Sequence, residues 1–469
     1  IRVGKPIKDL KKRLAAITYL DDIGAKFLWE CNAPMFTYTA NLIPEIADSI
    51  VEIDNAMRWG FAREVGIFDA WDAIGVEKSV NKMKEENRKV PTWVEEMLAA
   101  GRKSFYEIKN GEMTYWCPVE KKSLVYAQNK KVLNLNLYKD TKNTIKRDWS
   151  ASIHDIGDSV LNVEFHSIFV PAFNPLDRSM NDIMKHALDL LETGKYKGLV
   201  VGHQGKNWCA GANVNDFKMA IDSGNLQVMD AGVKDMQNVT QRIRHSKYPV
   251  VTCPFNLALG GGFEFYACSS HTVASGELYA GLVEAIQGLI PGAGGHLRVL
   301  LNLLENNDAK NVNMNIGRQA IELINPMTVS RSATDALKKG WLRKSDTIVM
   351  NSEHLLAVGK SKVLEMSDAG YEPPKYRDDL TLPGMTLRTM ASVGAKAMKA
   401  QGKISDHDEL VNSKSAYVLS GGKKGGLMSK VDEQHVLDIE RECFMSLAGE
   451  PKTQARIAHF LKTGKPLRN

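Results

Sequence analysis

The sequence lacks the long apolar runs that would assign it to a membrane or a secreted class. No stretch approaches the roughly 18 uninterrupted apolar residues of a membrane-spanning helix, and the first residues contain no apolar signal-peptide core. The chain begins with Ile1 rather than Met, so we expect a fragment or a processed product. Its length of 469 residues predicts two or three domains of ordinary globular composition, with 43% hydrophobic and 25% charged residues.

Metal-binding and disulfide patterns are also missing. The six cysteines include no CxxC pair, and there is no HExxH motif, so the sequence predicts no metal site. Scattered cysteines in a long chain are typical of reduced, mostly buried thiols, which favours a cytoplasmic location. Cys209 lies beside a glycine turn without an evident histidine partner, and we interpret it as a packing residue rather than a nucleophile.

The charge balance favours a small polyanionic ligand over a nucleic acid. A net charge of +6 is mild for this length, and no basic run is interleaved with aromatic residues as in an RNA-binding surface. A modest positive balance suits a phosphorylated small molecule, although solvation alone explains any single lysine. We therefore expect neither a nucleic acid nor a membrane as a partner.

Residue patterns divide the chain into four segments. Residues 1–125 carry apolar residues at helical spacing and predict an all-helical domain. The pattern changes over residues 113–149, where MTYWCPVEKKSLVY and KKVLNLNLYKD predict short extended pieces, and residues 126–149 predict a linker with some strand content. In residues 150–345 short buried strands alternate with amphipathic helices, which predicts an α/β core. Residues 346–469 are mostly helical and predict a C-terminal helical extension.

A strand followed by three glycines and a glutamate is the most informative stretch. The segment ALGGGFE places Gly260, Gly261 and Gly262 between a strand and a short helix, with Glu264 in the first helical turn. Glycines allow a close backbone approach, and amides at a helix N-terminus point outward and attract negative charge. Such a turn can stabilise an oxyanion. Taken alone, Glu264 is explained as a charge that complements the helix N-terminus.

A second glutamate, Glu284 in GLVEAIQGLIPGAGG, changes that interpretation. A strand out and a turn back can bring Glu284 opposite Glu264, and two carboxylates that face one pocket can divide into an acid and a base. Adding water across a double bond needs such a pair. Upstream, CAGAN follows a glycine-containing loop and begins a helix, whose amides could supply a second oxyanion donor.

These three motifs, in this order and spacing, resemble the crotonase superfamily, and within it enoyl-CoA hydratase. The resemblance covers about 150 to 345 and implies a crotonase-type spiral β/α core that binds an acyl-CoA thioester, with CoA as part of the substrate and no permanently bound cofactor. It assigns the oxyanion-hole amides to Ala212 and Gly261, water activation to Glu264, and proton exchange at the α-carbon to Glu284. Isomerases of the superfamily commonly keep only the residue matching Glu284, so both glutamates together favour hydration.

The same resemblance assigns CoA binding to four residues around the glycine turns: Lys206, Ala210, Ala212 and Gly260. A family lysine at the position of Lys206 can reach a CoA phosphate, although a solvated surface lysine is an equally simple interpretation. The sequence departs from the family at Asn213, where Asp is frequent, and at Leu282 and Val283, where Gln-Pro is frequent. These departures could alter substrate fit. Histidines are interpreted as core or surface residues, and we single out only His296, which follows GAGG.

The flanking segments resemble parts of a larger fusion enzyme. PEIADSIVEIDNAMRWGF and GIFDAWDAIG resemble a C-terminal helical repeat of 3-hydroxyacyl-CoA dehydrogenase. The chain end, CFMSLAGEPKTQARIAHFLKTGKPLRN, resembles the end of fusion enzymes that join this dehydrogenase to a hydratase. No strand is followed by GxGxxG and a helix, so the sequence predicts no NAD site. The resemblance therefore implies the fusion enzyme without its NAD-binding domain.

Two alternatives remain open. Another crotonase reaction, such as double-bond isomerisation or a specialised 3-hydroxyacyl-CoA dehydration, would share the fold and the oxyanion hole. A non-catalytic assembly module, whose helical flanks bind a dehydrogenase partner, would carry a vestigial site, and the intact glutamate pair argues against it. Members of the superfamily usually form trimers or hexamers, so a homo-oligomer is expected unless the long flanks block that packing.

We predict that this chain alone forms no NADH from 3-hydroxybutyryl-CoA and NAD. Hydride transfer needs a cofactor held against the substrate, and the usual strand, glycine turn and helix that hold NAD take about 30 residues. The sequence before the hydratase-like core offers no such unit. NADH absorbance is the measurement, with an added dehydrogenase as the positive control. Oxidation by the purified chain, free of a contaminating enzyme, would contradict this prediction.

Overall fold

A computed structural model describes residues 3–7, 9–127, 129–139 and 141–469, apart from the side chain at position 427. The chain divides into two units, Ile1–Asn129 and Lys130–Asn469. Among the described residues, no helix is both long and apolar enough to cross a membrane.

The first unit consists of helices followed by a small sheet, so the helical N-terminal region is confirmed. Its helices are α1 (Leu10–Ile17), α2 (Ile23–Asn41), α3 (Ile50–Gly60), α4 (Ile67–Ile74), α5 (Val76–Glu85) and α6 (Thr92–Ala99). Phe36 of α2 stacks on Trp71 of α4 with ring centroids 4.9 Å apart, at the centre of an apolar core. An antiparallel sheet follows, in the order β1 (Tyr106–Lys109), β2 (Glu112–Cys117) and β3 (Lys122–Val125).

This sheet corrects the all-helical prediction for residues 1–125. Asn110 and Gly111 have φ angles of 53° and 82° and form the two-residue turn between β1 and β2. Asn-Gly is favoured there because both positions need the left-handed region. Trp116 of β2 is buried in the same core as Trp71, so the hairpin completes the core of the helical unit.

The second unit is built on a seven-stranded sheet in the order β12-β10-β8-β7-β6-β5-β4. Within this sheet β6, β7, β8, β10 and β12 run parallel to one another. At one edge, β5 runs antiparallel to both of its neighbours, β4 and β6. Strands such as GLVV and VVT are wholly buried, as expected for a parallel sheet covered on both faces. The strands are β4 (Thr144–Arg147), β5 (Ala151–Asp155), β6 (Val160–Phe165), β7 (Gly198–Val201), β8 (Val250–Thr252), β10 (His271–Ser275) and β12 (Thr347–Val349).

A second, two-stranded parallel sheet pairs β9 (Asn256–Leu259) with β11 (Leu278–Gly281). Since β9 follows β8 and β11 follows β10, the chain passes twice from the large sheet to the small one. This repeated passage gives the α/β core its spiral course. It also brings the segment after β9 beside the segment after β11, and these two segments carry the two glutamates singled out above.

Helices cover the sheets of this unit. Those of the core are α7 (Arg178–Glu192), α8 (Val214–Asp222), α9 (Leu226–Arg244), α10 (Gly261–Ala267), α11 (Gly295–Asn306), α12 (Met314–Ile324) and α13 (Ala333–Lys339). The C-terminal segment is helical as predicted, with α14 (Leu355–Asp368), α15 (Met385–Ala400), α16 (Asp406–Leu419), α17 (Glu433–Ala448) and α18 (Pro451–Thr463). It also contains β13 (Leu380–Leu382), paired with β14 (Gly426–Val431). Leu437 and Phe444 of α17 lie in the same apolar core as the sheet, so residues 346–469 form no separate unit.

The predicted linker, residues 126–149, joins the second unit from residue 130 onward. Its strand β4 pairs with β5, and the alternating Leu133 and Leu135 are buried in the core. The Gln204 side chain fixes both leucines, because it accepts from Leu135 N at 2.9 Å and donates to Leu133 O at 3.2 Å. Two leucines in a lysine-rich stretch were too weak a pattern to predict this packing.

Candidate active site

The glycine run 260–262 forms the turn between β9 and α10. Gly260 has φ 53° and ψ −124°, a conformation that strongly favours glycine, and its N–H donates to Gly281 O of β11 at 2.8 Å. A Cβ at Gly262 would lie 2.3 Å from Cys209 O. Only glycine at this position lets the loop that carries Cys209 approach the turn so closely.

That loop is fixed by backbone pairing on two sides. Cys209 forms a parallel bridge with Ala258 of β9. Ala212 forms a second parallel bridge, with Leu176. In this bridge Leu176 N donates to Gly211 O at 2.8 Å, and Leu176 O accepts from Asn213 N at 2.9 Å. A parallel bridge of this kind leaves the N–H of the bridged residue on the opposite side. The Ala212 amide is therefore directed away from Leu176.

The Ala212 and Gly261 amides lie beside each other. A Cβ built on Gly261 would lie 3.6 Å from Ala212 N, and one built on Gly211 would lie 4.0 Å from Gly261 N. Gly261 is the first residue of α10, where an N–H has no partner within the helix. The structure thus brings together the two amides that the sequence predicted as a pair.

Glu264 is buried, with 3% of its surface exposed, and is held by one oxygen. Its Oε1 accepts from Ala293 N and from Gly295 N, both at 2.8 Å, in the turn that begins α11. Its Oε2 lies 3.8 Å from the position that a Cβ of Gly261 would occupy. One carboxylate oxygen is thus anchored, and the other is turned toward the pair of amides.

Glu284 lies beside the glycine turn 260–262, in the 3-10 helix Glu284–Gln287. Its Oε1 is 2.9 Å from the position that a Cβ of Gly260 would occupy, and its Oε2 is buried with no hydrogen-bond partner in the described part of the chain. The residue remains partly exposed, because it lines a small, partly open cavity. The walls of this cavity come from Leu282, Ile290 and Pro291, from the end of α12, and from Val411, Asn412 and Ser415 of α16.

Both carboxyl groups hold their protons more tightly than usual. Burial raises the pKa of Glu284 to about 8, with a further contribution from the negative charge of Glu440, against two opposing backbone hydrogen bonds. Burial also raises the pKa of Glu264 well above its usual range, and the charges of Glu284 and Glu440 add to this effect. The amides of Ala293 and Gly295 act in the opposite direction. Two carboxyls in such an environment titrate as a pair and resist being ionised together.

The residues predicted to bind CoA lie along the loop before α8. The Lys206 side chain is exposed, and its carbonyl oxygen accepts from the Asn256 side chain at 2.8 Å. Ala210 N donates to Phe173 O at 2.9 Å. Asn213, a departure from the family pattern, caps α8 through its side chain, so an amide serves there as a helix cap. The loop runs from an exposed lysine to the paired amides.

Two further sequence inferences concern side chains near this loop and the possibility of a metal site. Burial raises the pKa of the Cys209 thiol to about 12, which agrees with a packing residue rather than a nucleophile. Among the described residues, no group of three or more His, Cys, Asp or Glu is placed to hold a metal ion.

Sequence reasoning missed Glu440, because nothing in the ordinary helical pattern of α17 distinguishes it.

Comparison with known proteins identifies the type of domain. Residues 170–306 match a family model described as enoyl-CoA hydratase/isomerase. The matched segment contains the paired amides, both glycine turns and both glutamates discussed above. The chain therefore contains a domain of the enoyl-CoA hydratase/isomerase type, as the sequence predicted.

Relatives named as a 3-hydroxyacyl-CoA dehydrogenase and as a fatty acid oxidation complex enzyme match along nearly the whole chain. The chain is 38% identical over 469 residues to a "Probable 3-hydroxyacyl-CoA dehydrogenase" of Bacillus subtilis, covering 100% of this chain and 58% of that protein. It is 25% identical over 445 residues to a "Putative fatty acid oxidation complex trifunctional enzyme" of Rickettsia felis, covering 94% and 54%. The chain thus spans little more than half the length of these relatives. A solved carnitinyl-CoA dehydratase of Mycobacterium thermoresistibile matches 68% of this chain and 91% of its own, with 15% identity and a TM-score of 0.49.

We predict that Gly262→Ala destabilises the protein and that Gly232→Ala does not. A Cβ at position 262 would lie 2.3 Å from Cys209 O, a backbone atom, so the loop must shift, at a cost of about 1–3 kcal/mol. Gly232 lies in α9 with nothing within 4 Å of its Cβ position, and alanine there stabilises the helix by up to about 1 kcal/mol. Urea unfolding measures both variants. Equal midpoints for the two would refute the close approach.

Proposed function

We propose that the second unit catalyses the reversible addition of water to a trans-2-enoyl-CoA, giving a 3-hydroxyacyl-CoA. The observation that carries this proposal is that Glu264 and Glu284 both lie against one glycine turn, next to the Ala212 and Gly261 amides. The reaction moves only water and protons, so acid and base groups suffice for it. CoA would be part of the substrate rather than a resident cofactor.

The two amides would bind the thioester carbonyl oxygen. When water adds at the β-carbon, negative charge develops on this oxygen in the enolate, and preorganised N–H donors stabilise it more strongly than they stabilise the neutral substrate. Loss of one such donor typically costs about 10²- to 10³-fold in turnover. The pairing of Cys209 with β9 and of Ala212 with Leu176 would keep both donors in place without reorganisation.

The glutamates would divide the proton transfers between them. Because both pKa values are raised and the pair resists double ionisation, one carboxyl can hold a proton while the other is charged. When Glu284 holds the proton of the pair, the two amides stabilise a charge on Glu264, and its Oε2 would take a proton from water. Glu284, protonated below about pH 8, would deliver a proton to the α-carbon. The reverse reaction exchanges these roles.

The acyl group would enter the cavity beside Glu284. Leu282 is buried and lines this cavity, so the departure from the family pattern at this position bears on the acyl group rather than on CoA. The CoA portion would follow the loop outward past Gly260 and Ala210 toward Lys206. This path leads from the buried amides to an exposed lysine, which suits a ligand that is apolar at one end and phosphorylated at the other.

We predict that Glu264→Gln and Glu284→Gln each lower the turnover of crotonyl-CoA by about 10²–10⁴, the usual effect of removing a positioned acid or base. Loss of the enoyl-thioester absorbance measures hydration. Glu322→Gln, an exposed glutamate of α12 paired with Arg318, is the matched control and should act like the wild type. Near-normal hydration by either site variant would remove that residue from the mechanism. Double-bond migration without hydration in the wild type would favour an isomerase instead.

We predict that Lys206→Ala raises the KM for crotonyl-CoA more than it lowers kcat. A phosphate contact is made equally in the ground state and in the transition state, so its loss weakens binding without slowing the chemistry. Lys247→Ala is the control, because this exposed lysine precedes β8, at the opposite end of the sheet from the segment after β7. A KM for Lys206→Ala equal to that of the control would contradict phosphate binding and leave Lys206 interpreted as a solvated surface lysine.

A further inference from the structure

The four amides of the turn 293–296 alternate between two buried carboxylates. The first and third, from Ala293 and Gly295, donate to Glu264 Oε1. The second and fourth donate to Glu440 of α17, at 2.7 Å to Oε1 and 2.9 Å to Oε2. Glu440 is fully buried. A residue of the C-terminal segment thus holds the same turn that anchors the proposed catalytic base.

His296 connects Glu440 to the wall of the cavity. Its Nδ1 lies 2.8 Å from Glu440 Oε2, and its Nε2 lies 3.0 Å from Ser415 Oγ. An ionised carboxylate only accepts, so Nδ1 carries the proton and Nε2 accepts from the Ser415 hydroxyl. Ser415 lines the cavity beside Glu284, and the three linked side chains are each at most 1% exposed. The network is therefore buried and continuous from the cavity wall to the turn.

Glu440 has the surroundings of a charged residue. Besides His296 it receives two backbone amides at the N-terminus of α11, a position that favours negative charge, and the Gln237 side chain at 3.5 Å. Within the described residues, no lysine or arginine pairs with it. Its charge is one of the causes that raise the pKa of both Glu264 and Glu284.

We propose that Glu440 is a positioning residue for the acid–base pair, because it fixes the 293–296 turn that holds Glu264. Glu440 contacts no reacting atom in this arrangement and acts through the turn and through space. The inference rests on the proposed function. Under this inference, the C-terminal segment contributes a residue to the active site and does more than pack against it.

The other titratable and charged groups that influence these carboxyls come from several elements. On α17 itself, Cys443 is influenced by Glu440 and also by Lys414 of α16. Beside the 3-10 helix of Glu284, Arg456 of α18 donates to Ala285 O at 3.1 Å and pairs with Asp408. None of these groups accepts from the 293–296 turn, so a change at Glu440 can be separated from them. The other charged or titratable groups near the turn and the two glutamates are His296, Arg298, His407, Asp408, Lys414, Cys443 and Arg456, and Arg298 Nε lies 3.7 Å from the position that a Cβ of Gly294 would occupy.

The test compares Glu440→Gln, Glu440→Asp and the control Arg441→Gln in the full chain. Arg441 follows Glu440 on α17 but pairs with Asp230 of α9, away from the turn. Removing the charge of Glu440 should lower the pKa values of Glu264 and Glu284, so both limbs of the pH profile of kcat should move to lower pH. We expect kcat to fall roughly 10- to 100-fold through the displaced turn, with KM nearly unchanged.

The aspartate variant keeps the charge and shortens the side chain. It should leave both limbs of the pH profile in place while kcat falls, and Arg441→Gln should match the wild type in both respects. Unmoved limbs in folded Glu440→Gln would overturn the inference. If Glu440→Gln does not fold, Glu440→Asp decides, because an unchanged kcat in that variant would overturn the positioning role.

A readout independent of activity separates this inference from the proposed function. Carbon-13 NMR can follow the carboxyl titrations of Glu264 and Glu284, assigned by the resonances that Glu264→Gln and Glu284→Gln remove. Both titrations should move to lower pH in Glu440→Gln and stay in place in Arg441→Gln. No hydration by the wild type would overturn the proposed function alone. Carboxyl titrations that do not move would overturn the inference, whatever the activity.

Discussion

The hydrogen bonds from the Ala293 and Gly295 amides to Glu264 are the contacts on which the rest of the site depends. A carboxyl group without bonded partners is costly to bury, and these two donors offset that cost while leaving one oxygen free. Their turn must begin a helix, approach α10 closely and direct its successive amides to two buried carboxylates. The glycine-rich sequence before α11 satisfies these demands. The second carboxylate, Glu440, accepts from the other two amides of the turn, those of Gly294 and His296.

The spiral course of the chain serves this arrangement. Passing from β8 to β9 and from β10 to β11 places the two glutamate-bearing segments side by side, with the loop of Ala212 paired along β9. Helices α16 and α17 then supply the far wall of the cavity and the second hold on the turn. The C-terminal segment therefore completes an environment that the central residues begin. The N-terminal unit has its own aromatic core, and its described contacts stabilise that core.

The local motifs could be predicted from the sequence, and the distant contacts could not. The glycine turn 260–262 and the two glutamates, Glu264 and Glu284, are close together in the sequence. The placement of glycine and charge in this short stretch therefore predicted their association. Glu440 and Ser415 reach the site only through the packing of α16 and α17, which no short pattern reveals. The hairpin at Asn110 and Gly111 carried a readable turn signal just before a piece predicted as extended, although residues 1–125 as a whole were predicted to be helical. The strand β4 lies in the segment predicted as a linker with some strand content, but nothing in its sequence TIKR predicted its pairing with β5 at the edge of the sheet.

The central claim is that one site holds both an acid and a base that together add water to a double bond. Incubation of the wild-type chain with crotonyl-CoA in deuterated water enriched in oxygen-18 tests this most directly. The account predicts 3-hydroxybutyryl-CoA with oxygen-18 at the β-carbon and one deuteron at the α-carbon, analysed before repeated reversal. Deuterium in a thioester whose double bond has moved, with no oxygen-18 taken up, would contradict the claim and assign the site to isomerisation.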